Sequence, residues 1–160
     1  MIGVIIFWES NEQNRYSGDK WSSLLWHDTI KPLGAKLLIM IDPNNLQKHF
    51  IDEDMIFETY NSLYDALLAH KKKEFVFLEA ERGIPTNIEF NYLKNFKHPK
   101  GDTLYIVGPD TNGINFKEIN EFINNNVVAI QTEKNYAIWS FIAIAIALYD
   151  RRLKNGSNGS

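Results

Sequence analysis

Gly108-Pro109-Asp110-Thr111-Asn112-Gly113 stands directly after the apolar run 103–107. A glycine at a strand end permits positive φ and lets a ligand approach the main chain closely. Gly113 offers a second such point in the same loop. A Gly-Pro-Asp sequence also makes ordinary turns, so these residues fit a binding loop or a simple corner. They do not form a phosphate loop, because no Gly-Lys-Ser or Gly-Lys-Thr follows. Glu79 and Glu81, after the apolar run 74–78, are a second candidate. Spacing of two puts both carboxylates on one face of an extended chain. Paired carboxylates serve glycosidic chemistry. A salt-bridged pair with Arg82 or a lysine is the more ordinary reading.

Other chemistries are narrowed by composition. The chain has 160 residues and no cysteine, which excludes disulfides and thiolate metal sites. His27, His49, His70 and His98 show no ligand-type spacing, so no metal is expected. The formal net charge of −3 argues against a broadly basic nucleic-acid surface. Local basic stretches remain at 71–73, 94–100 and 151–154, and solvated charge explains them equally well.

The elements that must position these residues follow from the hydrophobic pattern. Residues 3–8 form a continuous apolar run, as in a parallel strand covered on both faces. They lack the basic flank and cleavage site of a signal peptide. A polar loop at 9–18 follows, then a helix over 19–30 with Trp21, Leu24, Leu25 and His27 inward, ended by Pro32 and Gly34. Strands are expected at 36–41, 74–78, 103–107 and 127–130, and helices at 62–70, 91–96, 116–123 and 136–153. Leu63, Leu67 and Leu68 mark the inner side of the 62–70 helix, and 52–54 reads as an acidic helix start or loop. Strands alternating with helices argue for one mostly parallel sheet with helices on both faces. The expected organisation is a single α/β domain over 1–154 with a flexible tail at 155–160.

The last helix, from Tyr136 through Ala-Ile-Trp-Ser-Phe-Ile-Ala-Ile-Ala-Ile-Ala-Leu-Tyr, is apolar all round and must be covered on every side. It is shorter than the about twenty residues a membrane span needs, so it is a core or interface helix. A second subunit is the simplest cover. A soluble protein of the cytoplasm is the default expectation.

At this point the chain resembles a known family. The sequence 103–114, ending Gly108-Pro109-Asp110-Thr111-Asn112-Gly113-Ile114, resembles the second motif of the SpoU/TrmH-type methyltransferases, an apolar strand followed by Gly-Pro-Glu and then Arg-Gly-Leu. Ala129-Ile130-Gln131-Thr132 resembles their strand ending Ile-Pro-Met. Residues 137–152 resemble the last motif, which runs from Ser-Leu-Asn to Leu-Tyr-Glu, and Leu148-Tyr149-Asp150 matches that ending. The likeness is closest to the minimal tRNA wobble-ribose methyltransferases.

The resemblance implies a SPOUT (α/β-knot) fold with a trefoil-knotted C-terminus, S-adenosylmethionine as cofactor and transfer of its methyl group to a ribose 2′-hydroxyl of tRNA or rRNA. It implies a homodimer joined through the C-terminal helices. Carried over residue by residue, it assigns cofactor binding to Leu78, Gly108, Ile130 and Ile138, with Gly83 and Thr132 nearby. It assigns the catalytic region to Asn14, Arg15, Lys20 and Asp110. Trp8, Tyr16 and Trp21 near the first loop could stack on a base or simply pack.

The departures bear on turnover. Lys20 stands at the family's motif-one arginine, with Arg15 close by, and lysine lacks the planar fork. Asp110 and Asn112 replace the motif-two Glu and Arg, and Ala137 and Trp139 replace the motif-three Ser and Asn. Backbone-mediated cofactor binding survives such changes better than catalysis does. Two alternatives therefore stand beside the methyltransferase: a non-catalytic homodimer that binds RNA or supports assembly, and an unknotted enzyme of nucleotides or sugars using Glu79 and Glu81.

Overall fold

Alternate residues of the first strand feed two separate cores. A computed structural model of the chain describes residues 1–8, 19–43 and 51–156, with residues 19–22 described by backbone alone. In β1, Ile2–Phe7, the side chains of Ile2, Val4 and Ile6 enter one apolar cluster and Ile5 enters the other. This period of two is what a strand buried on both faces requires. β2 (Ala35–Ile41) from Leu37 onward, β4 (Glu74–Leu78) and β6 (Thr103–Val107) follow the same rule.

β3 (Ile56–Tyr60), the two-residue β5 (Asn91–Tyr92) and β7 (Val127–Ala129) complete a seven-stranded sheet of order β3-β2-β1-β6-β4-β7-β5. Every pairing is parallel. The expected α/β sheet flanked by helices is therefore present, and it is parallel throughout.

Two helices cover one face. α1 (Asp19–Ile30) contributes Trp26 and Ile30, and α3 (Ser140–Asn155) contributes Ile144, Ala147 and Leu148. α2 (Leu63–Ala69) and the segment 114–123 cover the other face through Leu63, Leu67, Ile114, Phe116 and Ile119. Burying each large aliphatic side chain contributes about 1.5–3 kcal/mol.

Several sequence expectations change. Leu25 and Leu68 are exposed, and Trp26 and Ala66 lie inward instead. The segment 116–123 forms turns and a short 3-10 stretch at Asn120–Phe122 rather than a helix. Its apolar residues are anchored singly on the sheet, so no continuous helical face is needed. The 91–96 helix is β5 followed by a 3-10 turn at Leu93–Asn95. β3 has no counterpart among the expected elements, because Ile56–Tyr60 is a partly exposed edge strand with a polar residue in its middle.

A buried polar group pins α3 to the sheet. Arg151 donates to the Tyr105 hydroxyl at 3.1 Å and to the Pro99 carbonyl at 2.5 Å. His98 meets the Tyr105 hydroxyl and Asp150, each at 2.7 Å. Burial pushes the Tyr105 hydroxyl up to about 12, so it stays a neutral partner.

Candidate functional site

The strand order places β6, β4 and β7 side by side. Because they run parallel, their carboxyl ends open at the same edge, where ligands of open α/β sheets bind. A small cleft of about 100 Å³, open to solvent on one side, lies there.

Four chain segments meet at its wall. Leu78 and Glu79 come from the end of β4, and Gly108, Asp110 and Gly113 from the loop after β6. Ile130 follows β7, and Ile138 and Ser140 lead into α3. Four of the sequence-assigned cofactor positions, Leu78, Gly108, Ile130 and Ile138, thus line one cleft. Gly83 and Thr132 stand outside the lining. Gly83 lies behind the Glu79 side chain, where an added Cβ would come within 3.1 Å of the carboxyl carbon. Thr132 faces a neighbouring groove with Leu93 and Tyr149, and its hydroxyl donates to the Tyr136 carbonyl at 2.5 Å.

The loop after β6 is folded hard on itself. A Cβ at Gly108 would lie 2.4 Å from the Gly113 carbonyl carbon and 2.5 Å from the Ile114 nitrogen. Both are backbone atoms and cannot swing aside, so only glycine fits. Gly113 adopts φ +69°, the left-handed region, and its N–H donates to the Pro109 carbonyl at 2.7 Å. The turn reading of this stretch holds, and the turn lines the cleft.

Glu79 ties two of the loops together. Its Oε2 accepts the Ile114 N–H at 2.7 Å, and its Oε1 accepts the Ala80 N–H at 2.8 Å. Burial holds its carboxyl above the usual carboxylate range, against the pull of these two backbone donors. Glu81 is engaged elsewhere, accepting the Tyr92 hydroxyl at 2.7 Å. Among the described residues neither carboxylate is in an ion pair with Arg82 or a lysine. The expected salt-bridged pair is absent there, and the two groups serve different partners rather than one reacting centre.

Asp110 closes the cleft on the α3 side. Its carboxylate accepts the Ser140 backbone N–H at 2.7 Å and the Ser140 hydroxyl at 3.0 Å. It is thus an N-terminal cap supplied from another loop. The last helix accordingly begins at Ser140, not at Tyr136. Residues 133–135 form a 3-10 turn in which Lys134 and Asn135 have positive φ, and Trp139 is extended. Sequence reasoning missed Ser140. A serine immediately before an apolar helical run is a start signal that could have found it.

The other assigned residues divide. Ala137 lines the cleft, and Trp139 is 55% exposed and outside the lining. Asn14, Arg15 and Tyr16 lie outside the described residues, and Lys20 and Trp21 are described only as backbone of the first turn of α1. Trp8 is buried in the core beside α1 and α3, so it packs rather than presenting a face to a base. Away from the cleft, His27, Asp52 and Asp54 bring ligand-type atoms within 4.8 Å of one another, a grouping that the histidine spacing gave no sign of. Lys31 already pairs with Asp54 in that group.

No family model and no curated protein matches the sequence. Solved structures do match over nearly the whole chain. A Bacillus anthracis protein, provisionally assigned as an RNA methyltransferase, is 15% identical with a TM-score of 0.67, covering 96% of this chain and 94% of that one. A structure concerned with 2′-hydroxyl methylation of C or U at position 34 of tRNA is 16% identical with a TM-score of 0.65, covering 95% of each chain. The SpoU methyltransferase AviRb of Streptomyces viridochromogenes, solved with S-adenosylmethionine, is 14% identical with a TM-score of 0.62; the likeness covers 97% of this chain and 58% of that one. The chain therefore has the fold of the SpoU/TrmH RNA methyltransferases. No helix among the described residues is long and apolar enough to cross a membrane.

Proposed function

We propose that this protein is an S-adenosylmethionine-dependent methyltransferase acting on a ribose 2′-hydroxyl of RNA, either tRNA or rRNA. One observation carries the reading. The ends of β4, β6 and β7 and the start of α3 converge on a single cleft whose lining includes Gly108, where the folded 108–114 loop admits no side chain. Such a wall suits a donor held mainly by main-chain groups. Leu78, Gly108, Ile130 and Ile138 would hold it, with Gly83 and Thr132 supporting the loops around them. When bound, the donor supplies a methyl group on a sulfonium, open to in-line attack by an oxygen.

The chain must orient that oxygen and accept its proton. The resemblance gives this work to Asn14, Arg15 and Lys20, in the segment following β1. β1 lies next to β6 in the sheet, so the chain leaves it beside the cleft edge. Asp110 is already engaged with Ser140, and its part is that of a positioning residue. The knotted C-terminus belongs to the same reading. It is supported by the contact between the 108–114 loop and the start of α3, elements separated in sequence by β7.

The partner of α3 is a second copy. Ile142, Ile146, Tyr149 and Leu153 remain exposed on the helix, Leu153 by 67%. Ile146, Tyr149 and Leu153 flank an apolar groove with Leu93 and Ile130. A helix this apolar on its outer side is stable in water when covered.

The test is transfer of labelled methyl from S-adenosylmethionine to unmodified tRNA and rRNA, followed by digestion to nucleosides. A labelled 2′-O-methylnucleoside supports the reading. Donor binding without transfer to any RNA would favour the non-catalytic homodimer. That second reading is supported by Ala137, which brings no hydroxyl to the cleft wall.

A further inference from the structure

Glu79 is a carboxylate in the cleft wall with no ion-pair partner among the described residues. Both its oxygens take backbone N–H groups, from Ile114 and Ala80. Among the described residues no lysine, arginine or histidine forms an ion pair with it. The chain is shaped to keep it there. An added Cβ at Gly113 would lie 2.4 Å from Glu79 Oε2, and one at Gly83 would lie 3.1 Å from its carboxyl carbon. Asp110, also on the cleft, is placed differently. It is exposed and sits at the start of α3, where the helix dipole favours a negative charge.

A half-buried charge without a counter-ion is unfavourable, and the cost falls when a cation enters beside it. S-adenosylmethionine carries a sulfonium. S-adenosylhomocysteine, left after transfer, differs by the methyl group and is one positive charge poorer. We propose that the Glu79 carboxylate selects the cationic donor over its neutral by-product, acting as the cleft's fixed counter-charge. The inference rests on the proposed function and adds to it a residue that discriminates donor from product. Glu79 binds rather than reacts. Its charge favours loading of the methyl donor and release of the spent one. At an effective dielectric near 20, a charge pair a few ångströms apart is strong enough for about tenfold discrimination or more.

The experiment is calorimetric titration of the full chain with three probes: S-adenosylmethionine, S-adenosylhomocysteine and sinefungin, which has an ammonium in place of the sulfonium. Glu79→Gln is expected to weaken the two cationic probes by about tenfold or more and the neutral one by less than about twofold. Glu79→Asp is expected to retain most of the preference. Equal weakening of all three probes by Glu79→Gln would mean a purely structural role and would overturn the inference, as would no change at all. Wild-type protein that binds donor and by-product equally would overturn the inference and leave the cleft assignment standing. Wild-type protein that binds none of the probes would overturn both. If Glu79→Gln does not fold, wild-type protein titrated at falling pH gives the same information, because burial raises the Glu79 carboxyl above its usual range. The preference for the cationic probes should shrink as Glu79 takes up its proton, and a constant preference would overturn the inference.

Discussion

Asp110 and Ser140 are joined by two hydrogen bonds, 2.7 Å to the backbone N–H and 3.0 Å to the hydroxyl. The pair links the loop after β6 to the first turn of the last helix, and both residues line the same cleft. One carboxylate thereby satisfies an otherwise orphaned helix donor and ties two cleft-lining segments together.

Removing that cap should loosen both functions together. Asp110→Ala is expected to cost about 1 kcal/mol of stability and to weaken S-adenosylmethionine binding. Ser140→Ala removes only the hydroxyl contact and should cost less. A double-mutant cycle read by denaturant unfolding should show coupling between the two positions. Simple additivity would mean that the contact is not formed in solution.

Gly108 admits no side chain. Gly108→Ala places a methyl group against the Gly113 and Ile114 backbone. An overpacked site of this kind costs about 1–3 kcal/mol. The variant should lose donor binding well before it loses its circular-dichroism spectrum. Unchanged binding by calorimetry would show that the loop is not the cleft wall.

Two histidines should give opposite pH signatures. Burial lowers His98 below its ordinary 6.5 despite Asp150, so the folded chain holds it neutral. The unfolded chain then binds the proton more readily, and stability falls as pH drops below 6.5 towards the folded value. Burial also acts to lower His27, but Asp28, Asp54 and Asp52 outweigh it and raise the value above 6.5. Its contribution is complete below 6.5 and is lost as pH rises through the folded value. Melting temperatures across pH should lose their acid-side slope in His98→Gln. They should lose the slope just above 6.5 in His27→Gln.

The outer face of α3 should govern association. Ile142→Glu with Ile146→Glu puts charge on the exposed apolar strip and leaves the buried Ile144, Ala147 and Leu148 untouched. Sedimentation should give a species about twice 18.6 kDa for wild type and one near 18.6 kDa for the double variant. A wild-type monomer would refute the dimer.

Where local pattern and tertiary need agreed, the sequence was legible. The strands at 74–78 and 103–107 and the helix at 19–30 have the bounds expected of them, because continuous apolar runs and a Pro-Gly stop leave little choice. The convergence of Leu78, Gly108, Ile130 and Ile138 was legible only through resemblance, since no local pattern brings residues so far apart to one cleft. The start of α3 is not visible in local sequence because its cap, Asp110, comes from a distant loop. Apolarity alone places Leu25 and Leu68 inward, whereas the sheet selects Trp26 and Ala66. Spacing alone pairs Glu79 with Glu81. The actual partner of Glu79, the Ile114 N–H, is distant in sequence and invisible to spacing.

Hydrogen exchange with and without S-adenosylmethionine tests the central claim most directly, namely that the turns after β4, β6 and β7 form one donor site. Added donor should slow exchange together at 79–83, 108–114 and 130–140, leaving β3 and α2 unaffected. No protection, or protection confined to segments away from these turns, would contradict the account.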